Sequence, residues 1–467
     1  MNADLAEYDR QLARFLERVP SLARYASAVY AVRSFARGDM RVGTSDIDLV
    51  VVLPADDGES AEREILRELR AFVLHRAAWD LELVSVPKVA TNAEWRAFEA
   101  CYPAEFAHPT SVDGRLLCGQ AAEATPIDAA SLAADVSDSA LRHLTRALFE
   151  LTRVFEMGPR IPAMARLNKV ATRFLRASLW CTDEGYVAKD VEVRARSAHR
   201  FGSWVTDLFA ARLDAPRVWE ELTTLHAQLA PKVAHHPIGD ATCTFFDWHG
   251  AWMLPRYGKR ALICRSHVDD SSLAEMRRLR REGYQVAILP SAILQALLRR
   301  VLPHAGVVLE QTEPAFAAGV SLDDLDREAT RTLLHHRYNW RNFLLEWPDE
   351  HGRLHPQLAL RMLELLDCMV TLRSGQVAAD PSKVRDAFDR HFPEWPERDF
   401  IAHFANTDSP GLDAEAWVRG YPAWSRAVHA APPLPHRERG VYGSRADCLV
   451  TSIAPPAPPA RTFPGTA

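Results

Sequence analysis

The chain has 467 residues, of which 48% are hydrophobic and 25% charged; this is apolar material for two or three domains with their own cores and excludes a disordered or fibrous class. The net charge is −5, with 56 Lys and Arg interspersed among 61 Asp and Glu, so no global basic footprint points to DNA. Seven cysteines (101, 118, 181, 243, 264, 368 and 448) are scattered with no Cys-x-x-Cys pair, a pattern that excludes a disulfide frame or zinc ribbon and predicts reduced thiols in the cytoplasm. The start, Met1-Asn2-Ala3-Asp4-Leu5-Ala6-Glu7, is acidic and polar rather than a leader, and no apolar run reaches about eighteen residues, so no membrane partner is expected.

Residues 5–19 read as an amphipathic helix, with Leu12, Phe15, Leu16 and Val19 on one face and Pro20 as its stop. Tyr25 to Val32 predicts a first strand, followed by a turn over Ser34–Gly43. A second strand opens on Ser45-Asp46-Ile47-Asp48-Leu49 and continues through Val50 to Leu53. Alternation places Asp46 and Asp48 on one face while Ile47 and Leu49 point to the core. Neighbouring carboxylates repel unless a cation neutralises them, and Mg²⁺ takes one or two carboxylates and fills its shell with water and phosphate. The plainer alternative is a strand start with two solvated aspartates. After a helix near 60–77, Asp80-Leu81-Glu82-Leu83-Val84-Ser85-Val86 alternates as a strand. Asp80 and Glu82 share a face there, and spacing does not separate them. Asp113–Gly119 reads as a short strand with a glycine stop.

Further on, Ser137 or Asp138 is the expected cap of a helix carrying Leu141, Leu144, Leu148, Leu151 and Phe155. Helices near 163–180, 190–212 and 217–229 complete a helical unit. In the first of these, Arg166, Lys169, Arg173 and Arg176 stand at steps of three, four and three, lining one face with positive charge opposite Leu167, Val170, Phe174 and Leu175. Such a stripe is as often the wet side of an amphipathic helix. From about 240, strands over 260–264, 285–289 and 307–310 alternate with helices over 271–282 and 291–301, which suggests βαβ units. Helices are expected over 322–345 and 356–373. His235-His236 with Asp247 and His249, and His335-His336, lack His-Glu-x-x-His spacing and read as ordinary histidines. Trp340, Trp347, Trp395, Trp417 and Trp424 fit packing better than an acceptor pocket. Proline runs from Ala431 on describe a disordered tail.

Two segments carry a resemblance. Ser34, Ala36-Arg37-Gly38-Asp39, and Ser45-Asp46-Ile47-Asp48-Leu49 after an eleven-residue gap are similar to the signature of the DNA polymerase β-like nucleotidyltransferases. Arg33 stands where that family has a glycine, a position at which backbone meets the triphosphate. Leu81-Glu82-Leu83-Val84 is similar to the surroundings of the catalytic Glu in the aminoglycoside adenylyltransferase branch, which selects Glu82 over Asp80. Gly185-Tyr186-Val187-Ala188-Lys189-Asp190 resembles the segment of the antibiotic adenylyltransferases whose lysine reaches the nucleotide phosphates; Ala188 replaces the usual Ser or Pro.

The resemblance implies an α/β (α+β) protein. A polymerase β-like nucleotidyltransferase domain (1–125) is followed by a helical domain (135–232), a mixed α/β C-terminal domain (240–430) and the tail (431–467). It implies Asp46, Asp48 and Glu82 as catalytic residues and metal ligands for two Mg²⁺ ions, with Glu82 as general base. Ser34, Arg37, Lys189 and Arg176 would contact ATP. The expected reaction is transfer of AMP to a hydroxyl of a small-molecule acceptor. A protein or tRNA acceptor, as in toxin–antitoxin systems, and a catalytically silent nucleotide- or partner-binding protein, motivated by Arg33, stay open as alternatives.

Overall fold

The computed structural model describes residues 2–40, 45–54, 58–104, 114–121, 128–158, 160–182, 184–229, 238–248, 258–316, 319–346, 357–378, 381–393 and 395. The expected Pro-rich tail lies outside them.

The N-terminal helix α1 (Asn2–Arg18) and the short α2 (Ser21–Tyr25) lead into β1 (Ala28–Val32). One helical turn, α3 (Arg33–Arg37), follows, then β2 (Asp48–Leu53), α4 (Gly58–His75), β3 (Lys88–Thr91), α5 (Asn92–Cys101) and β4 (Arg115–Gly119). The sheet order is β3-β2-β1-β4, with β1 antiparallel to both neighbours and β2 parallel to β3. β1 is buried along its whole length, as an all-apolar Ala-Val-Tyr-Ala-Val run in mid-sheet requires. On one face Tyr8, Leu12 and Phe15 of α1 and Ile65, Leu69 and Phe72 of α4 pack against Ile47, Leu49 and Val51. On the other, Trp95, Phe98 and Tyr102 cover Tyr30, Val50 and Val52. Gly119, at φ +85°, ends β4 where a Cβ would meet the Ser27 carbonyl oxygen at 2.2 Å.

The expected strand over 80–86 is not formed. Asp80 N–H bonds to Ala77, Leu81 N–H to Arg76 and Val84 N–H to Leu81, so the segment coils in successive turns. Only Val84 reaches the sheet, as an isolated parallel bridge to Ile47. Asp80 sits at φ +56°, with its carboxylate on Arg14 at 2.8 Å. The strand partner of β2 comes later, at Lys88–Thr91.

The helical unit starts with α6 (Ala129–Met157), capped by Asp128 through the Ser131 N–H at 2.8 Å; Ser137 and Asp138 therefore lie inside the helix rather than at its start. It continues with α7 (Ile161–Trp180), α8 (Asp190–Phe201), α9 (Trp204–Phe209) and α10 (Ala215–Leu229), and Gly202 at φ +112° breaks the single helix expected over 190–212. Next come β5 (Ala241–Asp247), β6 (Gly258–Cys264), α11 (Asp270–Arg281), β7 (Gln285–Leu289) and α12 (Ser291–Ala296), which runs on as a π turn over Leu297–Val301. The strand expected over 307–310 is helix: α13 spans Pro303–Thr312. The order β5-β6-β7, with β6 and β7 parallel across α11, is one βαβ unit. It shares a single hydrophobic core with the helical unit, from Leu141 and Leu148 through Phe174 and Trp219 to Ile263 and Ile288.

Both sheets end on an edge strand whose outer backbone groups are met by side chains from helices. Thr152 Oγ1–H and Trp219 Nε1–H each donate at 2.8 Å to the carbonyls of Val286 and Ile288 in β7. At β3, Asn342 of α14 (Leu322–Glu346) donates to the Pro87 carbonyl at 2.7 Å and accepts from Val89 N–H at 3.4 Å. Arg341 adds ion pairs to Glu62 of α4 and Glu94 of α5, and Leu345 enters the core under the sheet. Earlier on α14, the half-buried Arg331 pairs with Asp135 and Asp138 of α6. The helix thus spans the N-terminal sheet and the helical unit. Helices α15 (Gln357–Ser374) and α16 (Val384–His391) complete the described chain.

The histidine and tryptophan readings have partners here. Asp247 is bonded to Arg260 at 3.1 Å, His336 meets Glu364 at 3.2 Å and Trp395 packs on Phe388 and Phe392. His235, His236, His249, Trp347, Trp417 and Trp424 lie outside the described residues. Among the described residues no single helix is long and apolar enough to cross a membrane; Ser291–Val301 and Pro303–Glu310 pass together but bend by 113°.

Candidate functional site

β1 runs straight into the motif turn. Arg33 is held at φ +62°, the left-handed conformation that glycine adopts freely and a side chain does not. The turn then closes on itself: Asp39 N–H bonds to the Ser34 carbonyl at 2.9 Å, Gly38 at φ +71° caps α3, and Arg37 Nε donates to Asp39 at 3.2 Å. The Arg37 and Asp39 side chains are 13% and 10% exposed, so this pair is part of the turn's framework.

Asp46 and Asp48 flank Ile47, which is fully buried and bridged on both sides: its N–H donates to Leu83 at 2.7 Å and its carbonyl accepts from Ser85 N–H at 3.1 Å. Helix α1 fixes both segments, with Tyr8 O–H on the Ser45 carbonyl at 2.8 Å and Gln11 Oε1 on Leu83 N–H at 2.9 Å. Asp46 is exposed and Asp48 half-buried, at the solvent end of the face that carries Val50 and Val52. Glu82 is exposed on the turn beside them, and its carbonyl accepts from Arg76. Among the described residues no three His, Cys, Asp or Glu groups gather into a metal cluster, and Glu82 stands on a turn rather than on the strand expected for it. The cause is the coiled 76–84 segment, which takes the place of the strand that would have aligned it. Two carboxylates on one strand still suit one hard cation whose remaining shell is water and phosphate.

The helical unit supplies the opposing charge. Lys169 of α7 interacts with Asp46, Asp48, Arg33 and Arg173. Its ammonium is held below the usual lysine range first by burial and then by Arg173 and Arg33, against the pull of the two carboxylates. Lys169 is thus the member of the α7 stripe within electrostatic reach of both carboxylates, with Arg173 one turn along the same helix. Arg176, one turn beyond Arg173, is committed elsewhere: it donates to the carbonyls of Val187 and Ala188, both at 2.9 Å, and to Asp190 at 2.6 Å. It shapes the Lys189 loop from below, where sequence reading gave it a phosphate. Lys189 is exposed, and the next residue, Asp190, donates its N–H to Asp39 at 3.0 Å. The Gly185–Asp190 segment is therefore docked on the Arg37-Gly38-Asp39 turn, 151 residues away in sequence.

The family model of the nucleotidyltransferase domain matches residues 12–101. The chain carries an N-terminal nucleotidyltransferase domain. The match runs from within α1 to the end of α5, including Arg33, Asp46, Asp48 and Glu82, and it supports the polymerase β-like superfamily. No curated protein and no solved structure matches the chain. Sequence reading passed over Arg33 as a participant and singled out Arg176 from the α7 stripe. The signal for Lys169 and Arg173 was present in that stripe, but spacing alone does not say which of its members meets another domain.

Proposed function

We propose that the protein is a Mg²⁺-dependent nucleotidyltransferase that moves AMP from ATP to a hydroxyl of a small, antibiotic-like acceptor. The acceptor oxygen forms a bond to the α-phosphorus, the bond from that phosphorus to the bridging oxygen breaks, pyrophosphate leaves and the hydroxyl proton is released. The observation that carries the reading is that Lys169 of the helical unit lies within electrostatic reach of Asp46 and Asp48 of the nucleotidyltransferase domain, with Arg173 beside it on α7. A polyphosphate fits between such groups by charge, and clefts between units are favoured ligand sites. Asp46 and Asp48 would hold the divalent ion, which supplies Lewis-acid stabilisation of the charge that develops on the phosphoryl oxygens. Lys169 and Arg173 would hold the phosphates in line, with Lys189 reaching in from the docked loop. Arg176 and Asp39 fix that loop, and Tyr8 and Gln11 fix the strand that presents the carboxylates.

The silent-binder reading has one observation in its favour, the Arg33 guanidinium 3.4 Å from Asp48. Calorimetric titration of ATP and of GTP with Mg²⁺, followed by α-labelled ATP turnover, separates the two. The expected outcome is metal-dependent ATP binding and pyrophosphate release, both lost in Asp46→Asn/Asp48→Asn, with label on a small molecule. Label retained on protein or RNA would move the acceptor to those classes. Binding without pyrophosphate release would establish the silent reading instead.

A further inference from the structure

Arg33 combines two features that belong together. Its backbone keeps the glycine conformation of the motif at φ +62°, which aims its side chain into the site rather than remodelling the turn. Its guanidinium then rests 3.4 Å from Asp48 Oδ1, with the two side chains 48% and 25% exposed. A half-exposed pair of this length is weak and exchangeable. Lys169 of α7 lies within electrostatic reach of Arg33 and of both aspartates, so a second cation accompanies the guanidinium at the site. A polyphosphate is a ligand class that two such neighbouring cations attract by charge.

We propose that Arg33 is a nucleotide-phosphate ligand that is parked on Asp48 and changes partners on loading: its guanidinium leaves the carboxylate for the triphosphate as the divalent ion takes its place. This deepens the nucleotidyltransferase reading and rests on it. The glycine position of the motif thereby becomes a device that makes metal binding depend on nucleotide, since metal alone must displace an ion pair whereas metal with triphosphate gives the arginine somewhere to go. The guanidinium suits both stations, being planar and able to pair bidentately with carboxylate or phosphate.

The decisive test is the sign of two effects in Arg33→Gly, a substitution that relieves the positive φ and so does not threaten the fold. Mn²⁺ binding without nucleotide, followed by electron paramagnetic resonance, should tighten by roughly two- to fivefold, the worth of an exposed ion pair removed from competition. Binding of ATP without divalent ion, followed by calorimetry, should weaken by roughly tenfold, as loss of a charged hydrogen-bond donor does. Tightening of both would make Arg33 a plain obstruction and overturn the exchange. No change in either would leave it a surface ion pair and overturn the exchange too. The Asp48→Asn protein is run alongside. If Mn²⁺ binding is the same with and without Asp48, the metal site fails and the nucleotidyltransferase reading fails with it; if only the Arg33 effects are missing, that reading stands.

Discussion

Replacing Asn342 by leucine tests what the C-terminal part of the chain does for the catalytic sheet. The side-chain amide meets two backbone groups of the β3 edge, the Pro87 carbonyl at 2.7 Å and the Val89 N–H at 3.4 Å, and both bonds are buried. Leucine has similar volume and meets neither. Each orphaned buried group costs about 1–3 kcal/mol, with the longer Val89 bond at the low end. The added apolar burial returns about 1 kcal/mol. The net expectation is a destabilisation of about 1–3 kcal/mol in urea unfolding with unchanged slope. Exchange of the Val89 amide proton should accelerate in step, since its acceptor is gone. A matched control, Leu345→Ala on the same helix, should cost about 2–5 kcal/mol through the cavity it leaves under the sheet. A loss below about 0.5 kcal/mol with Val89 exchange unaltered would refute the view that α14 holds the β3 edge.

Three further outcomes are expected. Lys169→Met should weaken Mg·ATP binding by roughly tenfold or more in calorimetry while leaving the melting temperature near wild type, because the side chain lies at the site and not in the core that α7 packs into. Arg176→Met removes donors to Val187, Ala188 and Asp190 and should cost about 1.5–3 kcal/mol of stability in denaturant titration, with proteolysis newly directed to the 185–190 loop. His226 is pushed down to about 4, chiefly by burial and secondarily by Arg300, so the fold holds it neutral while the unfolded chain takes a proton below 6.5. The unfolded state then binds more protons, and stability should fall as pH drops from 6.5 to about 4, by up to about 3 kcal/mol; His226→Leu should flatten that part of the pH–stability curve.

Much of the fold was legible because period and burial agree. The apolar run of β1, that of β2 after Asp48, and the helical spacing of Leu141, Leu144, Leu148 and Leu151 each match the element that forms. The failures have common causes. Asp80-Leu81-Glu82-Leu83 alternates like a strand, yet local turns and the Arg14–Asp80 pair outcompete a ladder, because one bridge at Val84 is all the sheet offers it. Val307 to Glu310 is β-branched and apolar like a strand, but Pro303 at the helix start and burial against neighbouring helices decide for α13. Ser137 or Asp138 is the expected cap because both residue types favour that position before a helical apolar run; Asp138 is buried inside the helix and paired with Arg300 and Arg331 instead.

The site shows the same limit more sharply. The burial of Ile47 and Leu49 beside Asp46 and Asp48 could be read directly, since alternation in an apolar run turns them to the core. The basic stripe of α7 could not, because helical spacing defines a face but not its neighbour. Arg176, nearest the Lys189 segment in sequence, turned out to be that segment's scaffold, while Lys169 two turns earlier faces the carboxylates. A helix rising about 1.5 Å per residue separates those two side chains by about 10 Å along its axis, the difference between shaping a loop and meeting a phosphate. What decides between them is the docking of Asp190 on Asp39, a backbone-to-carboxylate bond across 151 residues that sets how α7 lies over the motif turn. Asp39→Ala removes the acceptor of that bond together with the carboxylate that holds Arg37. If the docking sets the height of Lys169, this variant should lose nucleotide affinity while Lys169 and both motif carboxylates are intact, and wild-type affinity in it would detach the motif turn from the placement of α7.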